Sequence, residues 1–256
     1  ERAAAGQLMR PLSFGPFGLG FMRFRRSLLI ALTLVVCLSS AVQTVAAPPL
    51  ERGAELRGAR GTYAGQPRQA SGRVDQARLL ADWEDLREFL PAARARGWRV
   101  WVTLVPPSES PPKTKAYSEP FRLDYLRWAE EIARLSLVEP ALVAWSIDDF
   151  AHNLKVFTPA VMRALLARAR EINPRLAFVP CVYFRQITPT FASQYADLLD
   201  GILFPYRNES VKADLKDSSQ VEAEVRRVRE LLGQRRPVIV DVYATRHSSL
   251  GDSTPD

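Results

Sequence analysis

Five apolar runs, each followed by a polar cluster and then by helix-forming sequence, limit the folds open to this chain more than any other feature. The runs are WRVWVTLV (98–105), ALVAWSI (141–147), LAFVPCVYF (176–184), GILFPY (201–206) and PVIVDVY (237–243). They are short and rich in β-branched and aromatic side chains, as strands are. Almost every position is apolar, which implies strands covered on both faces and therefore a parallel sheet.

The intervening segments carry helix signals. Phe121, Tyr125, Trp128, Ile132 and Leu135 recur at spacings of four and three, one apolar face at helical period. Thr158-Pro159 and Thr188-Pro189 each supply an N-cap followed by proline at the first helical position. Ser219 and Glu222 have the spacing of a capping box for a helix that stops at Gly233. A further helix is expected over 75–96, ending at Gly97.

Strand–helix alternation leaves two architectures, a doubly wound open sheet or a (β/α)8 barrel. No run is followed by GxGxxG or GxxxxGK[ST], so the phosphate-binding turn of a nucleotide fold is missing. The strands end instead in PPSES, DDFAHN, YFRQ, YRNES and DVYATRH. Polar and aromatic side chains at the end of every strand are the barrel pattern. The expected fold is thus an α/β chain of (β/α)8 type. Residues 48–256 are fewer than the roughly 250 of a complete barrel, and residues 48–74 read as a linker or poorly ordered arm. The barrel domain is therefore expected over 75–256 and to be incomplete, with strands resembling three to seven.

The front of the chain is of a different kind. Residues 22–47 place three arginines before an apolar stretch from Leu28 to Leu38, with Val45-Ala46-Ala47 as a small-residue cleavage site. This is the layout of a secretory signal peptide, too short to span a bilayer comfortably. Residues 1–21 read as upstream, non-native sequence. The expected location is secreted or periplasmic, with no stable membrane association once the leader is removed. Most of the net charge of +7 belongs to residues 1–47, which hold five Arg and one Glu. No basic strip with interleaved aromatics follows, so nucleic acid is not an expected partner. Beyond the leader only Cys181 remains, which excludes an internal disulfide, and with two histidines a structural zinc site is not expected. No cofactor is implied, and a monomer is expected.

Chemistry concentrates at the strand ends. In AWSIDDFAHN an apolar run ends abruptly in Asp148 and Asp149, with His152 and Asn153 within a turn. Acids closing a buried run cost desolvation energy and call for a cap, a metal, a ligand or a reaction. Adjacent strand residues point to opposite faces, so one of the pair should face the barrel interior. That one would share the mouth with Asp241, Tyr183 and Tyr206. Two carboxylates across a barrel mouth suit glycosidic cleavage: one protonates the leaving oxygen, and the other attacks or activates water. Asp149 is the expected general acid/base, Asp241 the nucleophile or base, and Asp148 a positioning acid. Tyr183, Tyr206, Arg207, His152 and Asn153 would line the site. Glu109 and Glu209 are loop acids at neighbouring strand ends, either of which could replace Asp241. Asn208-Glu209-Ser210 also matches the glycosylation triplet.

The stretch from Trp83 to Asp256, through VTLVPPSESPP, LVAWSIDDF, GILFPYR and VIVDVYAT, resembles secreted bacterial TIM-barrel proteins of the glycoside hydrolase superfamily. In the retaining barrel glycosidases with acids after strands four and seven, those places match Asp149 (or Asp148) and Asp241, although Glu is usual there. SIDDF and FPYR are faintly similar to the chitinase-like pattern, whose final Glu is absent. The resemblance implies a glycosidase acting on a polysaccharide or glycan. The alternative is a barrel that binds carbohydrate, or serves as a cell-surface interaction module, without turnover.

Overall fold

The computed structural model describes residues 51–58, 61–64, 76–80, 83–113, 117–243 and 250. Among these residues seven strands and five α-helices follow one another: β1 (Gly61–Ala64), β2 (Gln76–Leu80), α1 (Trp83–Ala95), β3 (Arg99–Leu104), α2 (Tyr125–Val138), β4 (Leu142–Ile147), α3 (Pro159–Ile172), β5 (Ala177–Phe178), α4 (Pro189–Tyr195), β6 (Ile202–Pro205), α5 (Val221–Leu232) and β7 (Val238–Asp241). The leader expected at 22–47 and the segment before it lie outside the described residues.

All pairings are parallel, and each strand lies beside its neighbours in sequence. One sheet runs β1-β2-β3-β4-β5, a second is β6-β7, and a parallel bridge from Cys181 to Leu203 joins them. A doubly wound sheet reverses its strand order at a switch point. No reversal occurs among the described strands, so the chain winds in one direction as a barrel does.

Two expectations are corrected at the front of this domain. The segment 48–74 contains β1 and a 3-10 turn, Ala54–Leu56, that places Leu56 in the core. The helix expected from residue 75 begins only at Trp83, because Gln76–Leu80 pairs in parallel with β3 as β2. Gln, Ala, Arg and Leu favour helix locally, and strand pairing overrides that preference. The capping box is also absent. Residue Ser219 lies two positions ahead of α5, and its amide is bonded to Asp217 Oδ1 at 2.9 Å.

Two apolar clusters fill the two faces of the sheet. On the helix side Val100, Val102, Leu104, Trp145, Ile147 and Phe178 pack against the helices, including Trp128 and Ile132 of α2. On the other side Trp101, Ala144, Ala177, Val179, Cys181 and Leu203 meet one another and Leu56. α3 and α4 are capped as their sequences imply. Thr158 Oγ1 accepts from the Val161 amide at 3.3 Å ahead of Pro159. Replacing Thr158 by alanine should cost about 1 kcal/mol, read as a fall in the denaturation midpoint.

β5 is shorter than its apolar run because Pro180 has no N–H to give to a ladder. Extended pairing resumes beyond it, where the Cys181 amide donates to Ile147 O at 3.1 Å and the Val182 amide to Leu203 O at 2.9 Å. The chain thus reaches Tyr183 with its alternation intact.

Candidate functional site

Strand parity decides what the opening acids do. Along β4, Trp145 and Ile147 belong to the helix-side cluster and Ala144 to the opposite one, with Ser146 buried between. Asp148 is the next residue of the Ala144–Ser146 row. Its amide donates to Leu104 O at 3.0 Å, which extends the β3–β4 ladder by one residue. Its Oδ1 accepts from the Asp149 amide at 3.1 Å.

Asp149 then leaves the alternation. It has φ 41° and ψ 38°, a left-handed conformation that Asp tolerates better than most residues. The acids therefore do not simply take opposite faces, as strand geometry alone would require. The turn brings the Asp149 carboxylate to 3.4 Å from His152 Nδ1, and beside Tyr183. His152 is half exposed, at 52%, and its ring lies 5.9 Å from that of Tyr183.

Tyr183 connects these groups to the other strand ends. Its hydroxyl is hydrogen-bonded to Tyr243, two residues beyond Asp241. The Arg207 guanidinium lies over the Tyr183 ring, 4.1 Å from its centroid. Burial first, and then Tyr243, Asp149 and Cys181, hold the Tyr183 hydroxyl far above the usual phenol range. Tyr243 is pushed up to about 12, mainly by burial, with Cys181 and Asp241 adding to the rise and Tyr183 and Arg207 opposing it. Both phenols are therefore neutral hydrogen-bonding groups at physiological pH. Asp149, just beyond β4, acts electrostatically on Tyr183, and Asp241, at the end of β7, acts on Tyr243.

Several expected site residues prove to be supports. Tyr206 is buried, and its hydroxyl donates to Asp217 O at 2.8 Å and accepts from the Gln220 amide at 3.2 Å. It clamps the β6–α5 loop and does not line the mouth. Glu209, only 5% exposed, bonds both Nε and Nη2 of Arg207 through Oε1 and the Arg185 amide through Oε2. Glu209 thereby fixes Arg207 over Tyr183, a role that leaves it unsuited to replace Asp241.

Asn153 is likewise buried. Its Oδ1 accepts from the Ser108 amide at 3.0 Å, and its Nδ2 donates to Ser108 Oγ at 2.8 Å and to Asp149 O at 2.9 Å. It ties the β3 loop to the Asp149 turn and is closed off from a ligand. Asn153→Ala should cost about 1–3 kcal/mol, the penalty for unmet buried partners, and should show as a lowered melting temperature. Glu109 lies half-buried in the short turn Pro107–Glu109 beyond β3. The glycosylation triplet is closed in the folded chain: Asn208 is 2% exposed and its Nδ2 donates to Asp217 Oδ2 at 2.7 Å.

Tyr243 is a neighbour of the candidate site that sequence reasoning missed. Alternation along DVY was the available signal, since position 243 shares a face with Asp241. Among the described residues, no group of three or more His, Cys, Asp or Glu side chains is disposed to hold a metal, and no helix is long and apolar enough to cross a membrane.

The fold and site define a parallel α/β chain with a cluster of carboxylates, phenols and a guanidinium at the strand ends. No protein-family profile matches it, and no curated protein does. Solved structures are similar over part of its length. A β-glucuronidase of Bacteroides uniformis aligns with 12% identity and a TM-score of 0.43, over 61% of this chain and 19% of that one. The catalytic core of a xylanase A aligns with 13% identity and a TM-score of 0.47, over 69% and 64%. A type I 3-dehydroquinate dehydratase of Clostridium difficile aligns with 12% identity and a TM-score of 0.42, over 72% and 76%.

Proposed function

We propose that the chain is a secreted or periplasmic barrel of (β/α)8 type whose strand-end mouth takes a polysaccharide or glycan and cleaves its glycosidic bonds. The observation that supports this reading is the gathering of acids and aromatics at neighbouring strand ends, with Asp149 acting electrostatically on Tyr183 and Asp241 on Tyr243. Sequential parallel strands bring the ends of β4, β5, β6 and β7 into one neighbourhood, so residues far apart in sequence act together.

In this reading Asp149 gives a proton to the leaving oxygen, and Asp241 attacks the anomeric carbon or activates water. Asp148, continuing the inner row of β4, stabilises positive charge developing on the sugar ring. Tyr183 and the aliphatic stem of Arg207 offer flat surface to a sugar face, and their fixed geometry lowers the entropy lost on binding. His152, half exposed at the rim, meets the ligand at its edge.

The test is hydrolysis of a panel of polysaccharides and aryl glycosides by the chain from Pro48 onward. Release of reducing sugar is the expected result. Sugar binding with no release over days would assign the mouth to carbohydrate recognition without turnover. A folded chain that neither binds nor cleaves any member would sink the proposal.

A further inference from the structure

Glu209 is 5% exposed, yet it anchors more positive charge than it balances. Its Oε1 accepts from Arg207 Nε at 3.0 Å and also from Nη2, and its Oε2 accepts from the Arg185 amide at 3.2 Å. Its backbone oxygen accepts from Arg185 Nε at 2.9 Å. One residue thus fixes two guanidinium groups, one from the turn Phe184–Gln186 after β5 and the other just beyond β6. Its single carboxylate offsets the charge of only one. The Tyr183 ring holds the Arg207 guanidinium a second time, 4.1 Å from the ring centroid. Both arginines are anchored through Nε. Among the described residues, Nη1 of Arg207 and both Nη atoms of Arg185 have no hydrogen-bond partner.

We propose that Arg207 and Arg185 form an anion clamp at the strand-end mouth, taking the carboxylate or ester sulfate of an acidic sugar. The inference rests on the glycan reading above and names its substrate class. Anchoring through Nε leaves the Nη ends of the two guanidinium groups to a ligand. Such an end offers fixed N–H donors that match an oxyanion with two acceptor oxygens, whereas a sugar hydroxyl makes a bond about half as strong. The Arg207 side chain is 23% exposed, so its charge acts at lower effective dielectric than a surface arginine's. Being already fixed by Glu209 and Tyr183, it loses little side-chain freedom when a ligand binds. Arg185 is exposed and completes the clamp from the rim. Pairing with Glu209 alone needs one guanidinium, and the second supplies the charge that a ligand anion would offset.

The experiment is calorimetric titration of the wild type, Arg207→Lys and Arg185→Gln with paired oligosaccharides. Oligomers of galacturonate, glucuronate and mannuronate are each set against their neutral methyl esters, and sulfated galactan oligosaccharides against their desulfated forms. Thermal melts on the same samples check folding. At least one acidic oligosaccharide should bind the wild type about tenfold or more tightly than its neutral partner, the range for hydrogen bonds to a charged group. A uronate that outbinds its ester assigns the clamp to carboxylate, and a sulfated sugar that outbinds its desulfated form assigns it to sulfate. Arg207→Lys keeps a cation beside Glu209 but loses the fork, and should weaken the acidic sugar about tenfold while leaving its neutral partner nearly unchanged. Arg185→Gln, at an exposed position, should act in the same direction without lowering stability.

Neutral sugars bound as tightly as their acidic partners in every pair would overturn the clamp and leave the glycan reading standing. So would an acidic preference that survives intact in both folded variants. A folded wild type that binds no acidic or neutral oligosaccharide, nor any member of the hydrolysis panel, would overturn both.

Discussion

Asp149→Asn and Asp241→Asn should each lower glycan turnover by about 10²–10⁴-fold, the range that one acid–base group contributes. The amide keeps the size of the carboxyl and can still bond its neighbours, but it neither delivers a proton nor attacks the anomeric carbon. Both variants should therefore melt close to the wild type. The double variant should be little worse than the poorer single one, since groups that act in one step are not additive. Glu209→Gln supplies the contrast. Its carboxylate holds Arg207 and the Arg185 amide, so it should loosen sugar binding and lower stability while some turnover remains. Measured rates on the best glycan of the panel decide the matter. Turnover surviving in both Asp variants would remove them from the chemistry, whatever Glu209→Gln does.

At the opposite end of the sheet the largest effect expected is on stability. Asp200, whose side chain is 8% exposed, accepts from Arg52 Nε at 2.9 Å, from Arg170 Nη2 at 3.1 Å and from the Phe178 amide at 2.9 Å. It thus fastens three separate segments, the turn before Leu56, the last turn of α3 and β5. Gly53 makes that docking possible. It has φ 77°, and a Cβ there would lie 3.2 Å from the Asp200 carbonyl oxygen.

Asp200→Ala takes this acceptor from two guanidinium groups and one amide, and leaves Arg170 Nη2 its bond to Leu198 O at 3.2 Å. Breaking a buried ion pair on one side costs about 3–5 kcal/mol. Both arginines keep about a quarter of their side-chain surface in water, which puts the expectation near the lower figure. A loss of about 3 kcal/mol in a domain of this size lowers the melting temperature by roughly 6–12 °C. Asp200→Asn retains one acceptor for the Phe178 amide and should lose about half as much. A melting temperature for Asp200→Ala within a degree or two of the wild type would show that the triad contributes nothing net. The glycan turnover proposed above should be unaffected at temperatures where the variant is folded, because Asp200 lies at the end of the sheet opposite the candidate site.

Particular residues show how far the sequence could be read. Strands β3, β4, β6 and β7 match runs that are apolar over nearly their whole length, because a strand covered on both faces must be so. The first two strands escaped notice for the same reason: Gln76–Leu80 and Gly61–Ala64 lack that signature and are strands only by virtue of pairing with β3 and with each other. Among site residues, the strand-end positions of Asp148, Asp149, Tyr183, Arg207 and Asp241 were legible from the polar clusters alone. Their partners were not. Glu209 is two residues from Arg207 and yet serves as its anchor, and Tyr206 turns its hydroxyl to a loop eleven residues on.

The sequence by itself determined the parallel strand–helix alternation and the collection of acids and aromatics at the strand ends, since both follow from local pattern: apolar periodicity and the cost of burying charge. Only the tertiary structure decided that Asp149 leaves the β4 alternation to face His152 and Tyr183, that Tyr183 and Tyr243 meet over β6, and that Asn153, Tyr206 and Glu209 support the site. Those outcomes depend on which backbone and side-chain groups arrive from distant segments to satisfy each buried donor and acceptor, and no local periodicity encodes them.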